Sequence, residues 1–165
     1  MGACYSAGEV KSRSIEFALL ILLAGTVSAS HLDTPPSPEA PVAVQQAADA
    51  RQYLAPRLAL WQKRLQLDDW SITLLQVKSS DLKPNTLGNI RWNEDDKTAT
   101  IRVLLPSEYK LPYDAALEDM EVTVVHELIH LELASLPRSE ASRSQEEHAV
   151  NRMAEALLDL EYRRQ

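Results

Sequence analysis

One apolar stretch of the chain carries two histidines and a glutamate at a regular spacing. It reads Val124-Val125-His126-Glu127-Leu128-Ile129-His130-Leu131. On a helix, His126 and His130 lie one turn apart on the same face, so both imidazoles can reach a single ion. Glu127 is rotated by about 100° from His126, where it can contact a water on that ion without being a ligand. The spacing therefore predicts a helical metal site of the kind that zinc-dependent hydrolases use.

The residues around this His-Glu-x-x-His box are apolar on nearly every side of the expected helix. They are Val122, Val124, Val125, Leu128, Ile129, Leu131 and Leu133. Such a pattern is typical of a buried helix. A buried polar side chain without a partner costs a few kcal/mol, so the two histidines and Glu127 need partners. A metal ion would supply them. The alternative is a pair of hydrogen-bonded core histidines with an unrelated glutamate between them.

The composition of the 165-residue chain fits one compact domain with a tail. Hydrophobic residues make up 45% of the sequence and charged residues 25%, which places the chain among ordinary globular proteins. The net charge of −7 argues against a nucleic acid or an anionic membrane surface as the partner. Cys4 is the only cysteine, so a disulfide within the chain and a cysteine-based zinc cage are excluded.

The first 29 residues have the features of a secretory signal. Lys11 and Arg13 precede the apolar run Phe17–Gly25, which is too short for a transmembrane helix. Val27-Ser28-Ala29 then has the small-x-small form of a cleavage site. If residues 1–29 act as a signal peptide, the protein is secreted or periplasmic, without stable insertion in the membrane. If they are instead a nonstructural leader, it is cytoplasmic.

The chain before residue 68 is expected to be a linker followed by one helix. Residues 30–41 are rich in proline, which predicts an extended linker. Apolar residues then recur at three- and four-residue spacing over residues 42–67, which predicts a helix that Pro56 breaks or restarts. The folded domain is therefore expected over residues 42–165.

Three short strands and two helices are predicted after this first helix. Alternating and β-branched residues predict strands over residues 70–77, 87–92 and 98–105. A helix that begins at Asp114 carries the His-Glu-x-x-His box, and a last helix covers residues 145–162. This order predicts an α+β domain with a small antiparallel three-stranded sheet.

Two histidines do not complete a catalytic zinc site, which usually has three protein ligands and one open position. The next credible donors are Glu146, Glu147 and His148, at the start of the last helix. Helical phase slightly favours Glu146, which points along the apolar stripe of that helix, while His148 points away from it. Glu147 also completes a capping-box pattern with Ser144, in which its carboxylate would bind the helix backbone instead. Spacing alone leaves the third ligand open.

A motif in the last helix resembles a known family. From Glu147 the sequence reads Glu-His-Ala-Val-Asn-Arg-Met-Ala-Glu-Ala-Leu-Leu. It is similar to the third-ligand helix of the ImmA/IrrE-like, minimal-gluzincin metallopeptidases, which also carry His-Glu-x-x-His on the preceding helix. The resemblance implies a zincin-like fold in which Zn²⁺ is held by His126, His130 and Glu147, with Glu127 as the general base. It covers about residues 70–158, although only the two helix motifs are specific.

The box and the resemblance together predict a zinc metallopeptidase that acts on a peptide or protein substrate. Glu127 would take a proton from the attacking water and pass it to the leaving amine. Tyr109 or Tyr113, in the loop before the metal helix, could stabilise the oxyanion, or each could be an ordinary packed aromatic. An extended substrate could pair with the strand at residues 98–105, as with the edge strand of gluzincins, or that strand could simply be core on one face and solvated on the other.

Two other classes of protein fit the same sequence. One is a metal-binding regulatory or interaction protein that keeps the zincin fold but has no proteolytic turnover. Glu127 argues against that class, because a structural metal site has no use for a base. The other is a helical protein that binds no metal.

Overall fold

In the described part of the chain, one helix precedes three strands and two further helices follow them. The computed structural model describes residues 39–137, 139 and 141–163, so the expected leader and most of the expected linker lie outside it. The elements are α1 (Glu39–Arg64), β1 (Ser71–Val77), β2 (Gly88–Asn93), β3 (Thr98–Leu104), α2 (Tyr113–Glu132) and α3 (Arg143–Tyr162), with short 3-10 turns at Ser79–Asp81 and Pro106–Glu108. The α+β class predicted from the sequence is confirmed. None of the described helices is long and apolar enough to cross a membrane.

The three strands form a mixed sheet in the order β1-β3-β2. β1 pairs with β3 in parallel, and β2 pairs with β3 in antiparallel orientation. The expected antiparallel sheet is therefore wrong in one of its two pairings. The long connection over residues 78–87 carries the chain from β1 past the end of β3 to the far edge. A tight turn then brings β3 back between the other two strands, with Asn93 opposite Thr98.

α1 is continuous, and the break expected at Pro56 is wrong. The helix runs over Glu39–Arg64 with Pro56 inside it, although proline removes the hydrogen bond to the carbonyl four residues earlier. Pro56 and Gln52, which carries that carbonyl, are both exposed, so water can bind the freed oxygen. The fully buried Trp61 helps to hold the helix against the core. α1 also begins earlier than expected, because Pro41 falls in its first turn, where proline is tolerated.

The hydrophobic core lies between the sheet and the helices, with α2 in contact with α1, α3, β2 and β3. β3 buries Ala99, Ile101 and Val103, which is the inward face expected from the alternation of its residues. The largest fully buried side chains are Trp61, Leu54, Ile101, Met120, Leu128, Val103, Val124, Val125 and Val150. Burial of α2 on most of its sides explains why its sequence is apolar almost all round.

One carboxylate lies inside this core and joins three helices. Glu121 of α2 is 2% exposed. From α1 it accepts hydrogen bonds from the Tyr53 hydroxyl at 3.1 Å, Arg57 Nε at 2.7 Å and Trp61 Nε1 at 2.9 Å. From α3 it accepts one from the Tyr162 hydroxyl at 2.6 Å. Four donors compensate for the loss of water around the charge, and they fix how α2 is rotated against α1 and α3.

Candidate metal centre

The two histidines of the His-Glu-x-x-His box lie together on α2. Their Nε2 atoms are 3.0 Å apart, and the two ring centroids are separated by 4.7 Å with the rings inclined by 68°. The spacing of four residues, about one helical turn, places them on one face of α2, and buried apolar residues occupy most of its other sides. His130 is 8% exposed and His126 somewhat more, so both rings are largely removed from water.

Glu147 of α3 brings a carboxylate to the same point. Its Oε2 atom lies 3.4 Å from His126 Nε2, and its Oε1 atom lies 3.4 Å from His130 Nε2. One donor atom from each of the three residues lies within 4.8 Å of the others. Because α2 and α3 pack side by side, the start of α3 meets the histidine face of α2. The His126, His130 and Glu147 group could therefore hold a metal ion.

The other nitrogen of each imidazole also contacts a side chain of α3. His126 Nδ1 lies 2.9 Å from Asn151 Oδ1, and His130 Nδ1 lies 3.1 Å from Glu146 Oε1. Histidines that bind metals usually donate their second N–H to such an acceptor, which fixes the orientation of the ring. Sequence reasoning weighed Glu146 only as a ligand and gave Asn151 no role of its own. The four-residue spacing from Glu147 to Asn151 is the signal that could have placed both on one face of α3.

The protonation of the two imidazoles indicates whether the His126, His130 and Glu147 group suits a cation. A carboxylate can only accept a hydrogen bond, so Glu146 favours a proton on His130 Nδ1 and a lone pair on His130 Nε2. Burial lowers the pKa of His126, and a charge on His130 would lower it further, which favours a neutral His126 ring. Two neutral imidazoles beside a carboxylate form a donor set that binds divalent metals. The residues present therefore fit such an ion.

Glu127 is buried next to this group, with 7% of its surface exposed. Burial raises the pKa of its carboxyl to about 7, and the negative charge of Glu147 acts in the same direction. The metal-free site thus disfavours two ionised carboxylates, and a bound cation would offset that repulsion. Glu127 lies beside the sheet, because its Oε1 atom would be 3.7 Å from a Cβ built on Gly88 of β2.

β2, rather than β3, is the edge strand beside the candidate site. β3 pairs with β1 on one side and with β2 on the other, so the expectation that an extended substrate pairs with β3 is wrong. Among the residues that the structure describes, no strand pairs with the outer edge of β2. Since β2 packs against α2 at Gly88, this free edge runs close to Glu127.

The two tyrosines considered for the oxyanion have structural contacts. The Tyr113 hydroxyl donates a hydrogen bond of 3.0 Å to the carbonyl of Gln46, which ties the start of α2 to α1. Tyr109 packs against the core, and burial followed by the negative charge of Asp119 raises the pKa of its hydroxyl above the ordinary value. An oxyanion-stabilising role for either tyrosine stays a prediction.

The start of α3 rules out the capping-box alternative for Glu147. α3 begins at Arg143 with Ser142 as its N-cap, so Ser144 lies inside the helix. The Ser142 hydroxyl makes no capping bond to the helix and instead contacts Ser139. His148 is exposed and is not part of the group that could hold a metal ion.

In comparisons with known proteins, no protein-family model, no curated protein and no solved structure matches this chain. The similarity of its two helix motifs to the minimal gluzincins therefore stays a prediction.

Proposed function

We propose that this protein is a zinc-dependent metallopeptidase, with His126, His130 and Glu147 as metal ligands and Glu127 as the general base. One observation carries the proposal: both Nε2 atoms and the Glu147 carboxylate meet at one point, within 4.8 Å of one another. The buried carboxylate of Glu127 follows His126 directly on the same helix.

The spacing of the donor atoms supports zinc. Two atoms bound at about 2 Å to a tetrahedral zinc ion lie about 3.4 Å apart. The contacts in this group measure 3.0 Å between the two imidazoles and 3.4 Å from each imidazole to the carboxylate. Three protein ligands also leave one position open, as catalytic zinc sites require.

Each residue would have a defined role in peptide hydrolysis. When bound, zinc would lower the pKa of a coordinated water and polarise the peptide carbonyl. Glu127 would accept a proton from the attacking water at its carboxylate and then deliver that proton to the leaving amine. The contacts from Asn151 and Glu146 would hold the two imidazole rings in place throughout.

The free edge of β2 supports a peptide as the substrate class. An extended peptide can add to a sheet edge through main-chain hydrogen bonds, without a requirement for particular side chains. A peptide paired with the outer edge of β2 would pass beside Glu127, since Gly88 lies in β2 and approaches that carboxylate.

Zinc content and peptide cleavage, measured together on three proteins, test this proposal. Wild type should hold one zinc per chain and cleave a peptide library. Glu127→Gln should keep the zinc but lose about 10²- to 10⁴-fold in kcat, which is the usual contribution of a general base. Glu118→Gln, an exposed glutamate on the same helix, is the matched control and should behave as wild type.

Two results would contradict the proposal. Wild type that holds zinc but cuts no peptide in the library would favour the regulatory class of protein over the enzyme. Undiminished cleavage by Glu127→Gln would remove that residue from the role of base.

A further inference from the structure

Glu146 and Glu147 contact opposite edges of the same imidazole. Glu146 Oε1 lies 3.1 Å from His130 Nδ1, and Glu147 Oε1 lies 3.4 Å from His130 Nε2. The Glu146 side chain is 20% exposed, whereas the Glu147 side chain is 49% exposed. The more buried carboxylate of the two is thus the one on the side of the ring away from the proposed metal.

We propose that Glu146 is a positioning residue that holds His130 as the tautomer with its proton on Nδ1. An ionised carboxylate has no proton to donate, so only an N–H can face it favourably. With the proton on Nδ1, the Nε2 lone pair points towards His126 and Glu147, where a metal would bind. This inference deepens the proposed function, because it rests on the same metal site.

The contact at the other histidine differs in kind. Asn151 Oδ1 lies 2.9 Å from His126 Nδ1. An amide presents an oxygen acceptor or, after a rotation of its terminal group, an N–H donor, so Asn151 suits either tautomer of His126. A carboxylate has no such freedom. Glu147 also faces His130, but its Oε1 atom is 3.4 Å from Nε2, whereas Glu146 Oε1 is 3.1 Å from Nδ1, so Glu146 has the stronger influence on the His130 tautomer.

A specific arrangement of protons follows for the metal-free protein. His130 carries its proton on Nδ1, and its Nε2 atom accepts a hydrogen bond from His126 Nε2, 3.0 Å away. His126 then has a lone pair at Nδ1, so the Asn151 amide would have to rotate from the orientation in which its Oδ1 atom lies 2.9 Å from that nitrogen. To offer both Nε2 atoms to a metal, His126 would have to carry its proton at Nδ1 instead of Nε2, where Asn151 Oδ1 can accept it, while His130 would keep its tautomer.

Long-range proton–nitrogen NMR of the imidazoles tests this inference without a metal. Metal-free wild type should show His130 protonated at Nδ1. Glu146→Gln should shift that proton, at least in part, to Nε2, because the new amide can donate to Nδ1. Glu155→Gln, an exposed glutamate on the same helix, is the matched control and should leave the His130 signals unchanged.

Zinc affinity, measured by competition with a chelator, is the second readout. Glu146→Ala should weaken zinc binding by about 10- to 100-fold, as is usual for loss of an acceptor behind a ligand histidine, and keep one zinc per chain. With Co²⁺ as the probe, Glu146→Ala should keep the visible absorption of the wild-type complex, whereas Glu147→Ala should change it through loss of a ligand.

The two readouts separate this inference from the proposed function. Unchanged His130 tautomer and zinc affinity in both Glu146 variants would overturn the positioning role and leave the peptidase proposal intact. An altered Co²⁺ spectrum in Glu146→Ala, with a wild-type spectrum in Glu147→Ala, would make Glu146 a ligand and also overturn it. If wild type binds no zinc but its His130 tautomer still depends on Glu146, the proposed function fails and the tautomer assignment stands.

Discussion

Gly88 is the residue at which β2 meets α2 beside Glu127. A Cβ at this position would lie 2.5 Å from Thr123 Cγ2 and 2.7 Å from the carbonyl oxygen of Arg102. Both distances are too short, and the Arg102 carbonyl belongs to the sheet backbone, which cannot move freely. We expect Gly88→Ala to lower the free energy of unfolding by about 1–3 kcal/mol, the usual range for overpacking, in urea denaturation.

Thr123→Ser supplies the control for that prediction. Serine keeps the hydroxyl that donates to the Asp119 carbonyl at 3.0 Å and removes only the methyl group. The double variant Gly88→Ala, Thr123→Ser should recover part of the lost stability, and the clash with Arg102 should account for the rest. Equal stability of Gly88→Ala and wild type would show that the two elements do not pack this closely.

Asp119 gives a pH dependence with a defined sign. Burial raises the pKa of its carboxyl above the ordinary value, and its Oδ2 atom is buried without a hydrogen-bond partner among the described residues. The folded state therefore binds the proton more tightly than the unfolded state. The stability that the tighter binding of this proton adds to the folded state is complete below the unfolded pKa of about 3.9. It is lost as the pH rises through the folded pKa.

Asp119→Asn should remove the loss of folding stability that accompanies ionisation of Asp119, because an amide does not ionise. Urea denaturation of the metal-free proteins should find the variant more stable than wild type at pH 7 and close to it near pH 3. A variant that is less stable than wild type at pH 7 would mean that the ionised carboxylate has a favourable partner.

At the candidate site, the sequence pointed to His126, His130 and Glu147, which the structure brings together, but it could not tell which nitrogen each carboxylate contacts. The box specifies His126 and His130 because a four-residue spacing on a helix leaves little freedom in where they point. Helical phase could not separate Glu146 from Glu147, since an imidazole has two nitrogens and both carboxylates contact His130. Only the packing of α3 on α2 decides which nitrogen each carboxylate reaches.

At the scale of elements, α2 is held in place by the carboxylate of Glu121. Its four donors come from α1 and α3, and the Arg57 contact is an ion pair of 2.7 Å. We expect Glu121→Ala to cost about 3 kcal/mol in thermal or urea unfolding, because the partners of a buried charge lose their acceptor. Arg57 keeps some contact with water, which places the cost at the lower end of the range for buried pairs.

An exposed ion pair provides the comparison for Glu121. Arg163 and Asp159 form a 2.8 Å contact in which both side chains are mostly exposed. Asp159→Ala should change stability by no more than about 1 kcal/mol. An equally small effect of Glu121→Ala would show that the three helices do not depend on the buried carboxylate.

α1 and α3 were predictable because each has a long periodic pattern, and α2 because a long apolar run carries the His-Glu-x-x-His box, whereas the pairing of the strands was not predictable. The alternation of residues predicted that residues 98–105 form a strand. The place of β3 in the sheet depends on where the connection over residues 78–87 leads. The helix break expected at Pro56 was wrong for a similar reason. Whether a proline breaks a helix depends on the exposure of the freed carbonyl, which only the tertiary structure defines.

At the scale of the whole molecule, the fold brings together three features that are separate in sequence. The two histidines lie on α2, Glu146, Glu147 and Asn151 lie on α3, and β2 has an edge that no described strand pairs with. The buried core holds α2 between α3 and the sheet, so metal binding should stabilise the entire fold. Zinc at 100 times its Kd should add about 2.7 kcal/mol to the free energy of unfolding.

Zinc titration of the metal-free protein, followed by calorimetry and by unfolding, tests the central claim most directly. Wild type should bind one zinc per chain and gain stability, and the variant His126→Ala, His130→Ala should do neither while it keeps the helical content of wild type. No saturable zinc binding by wild type would contradict the account. So would equal zinc affinity in the double histidine variant.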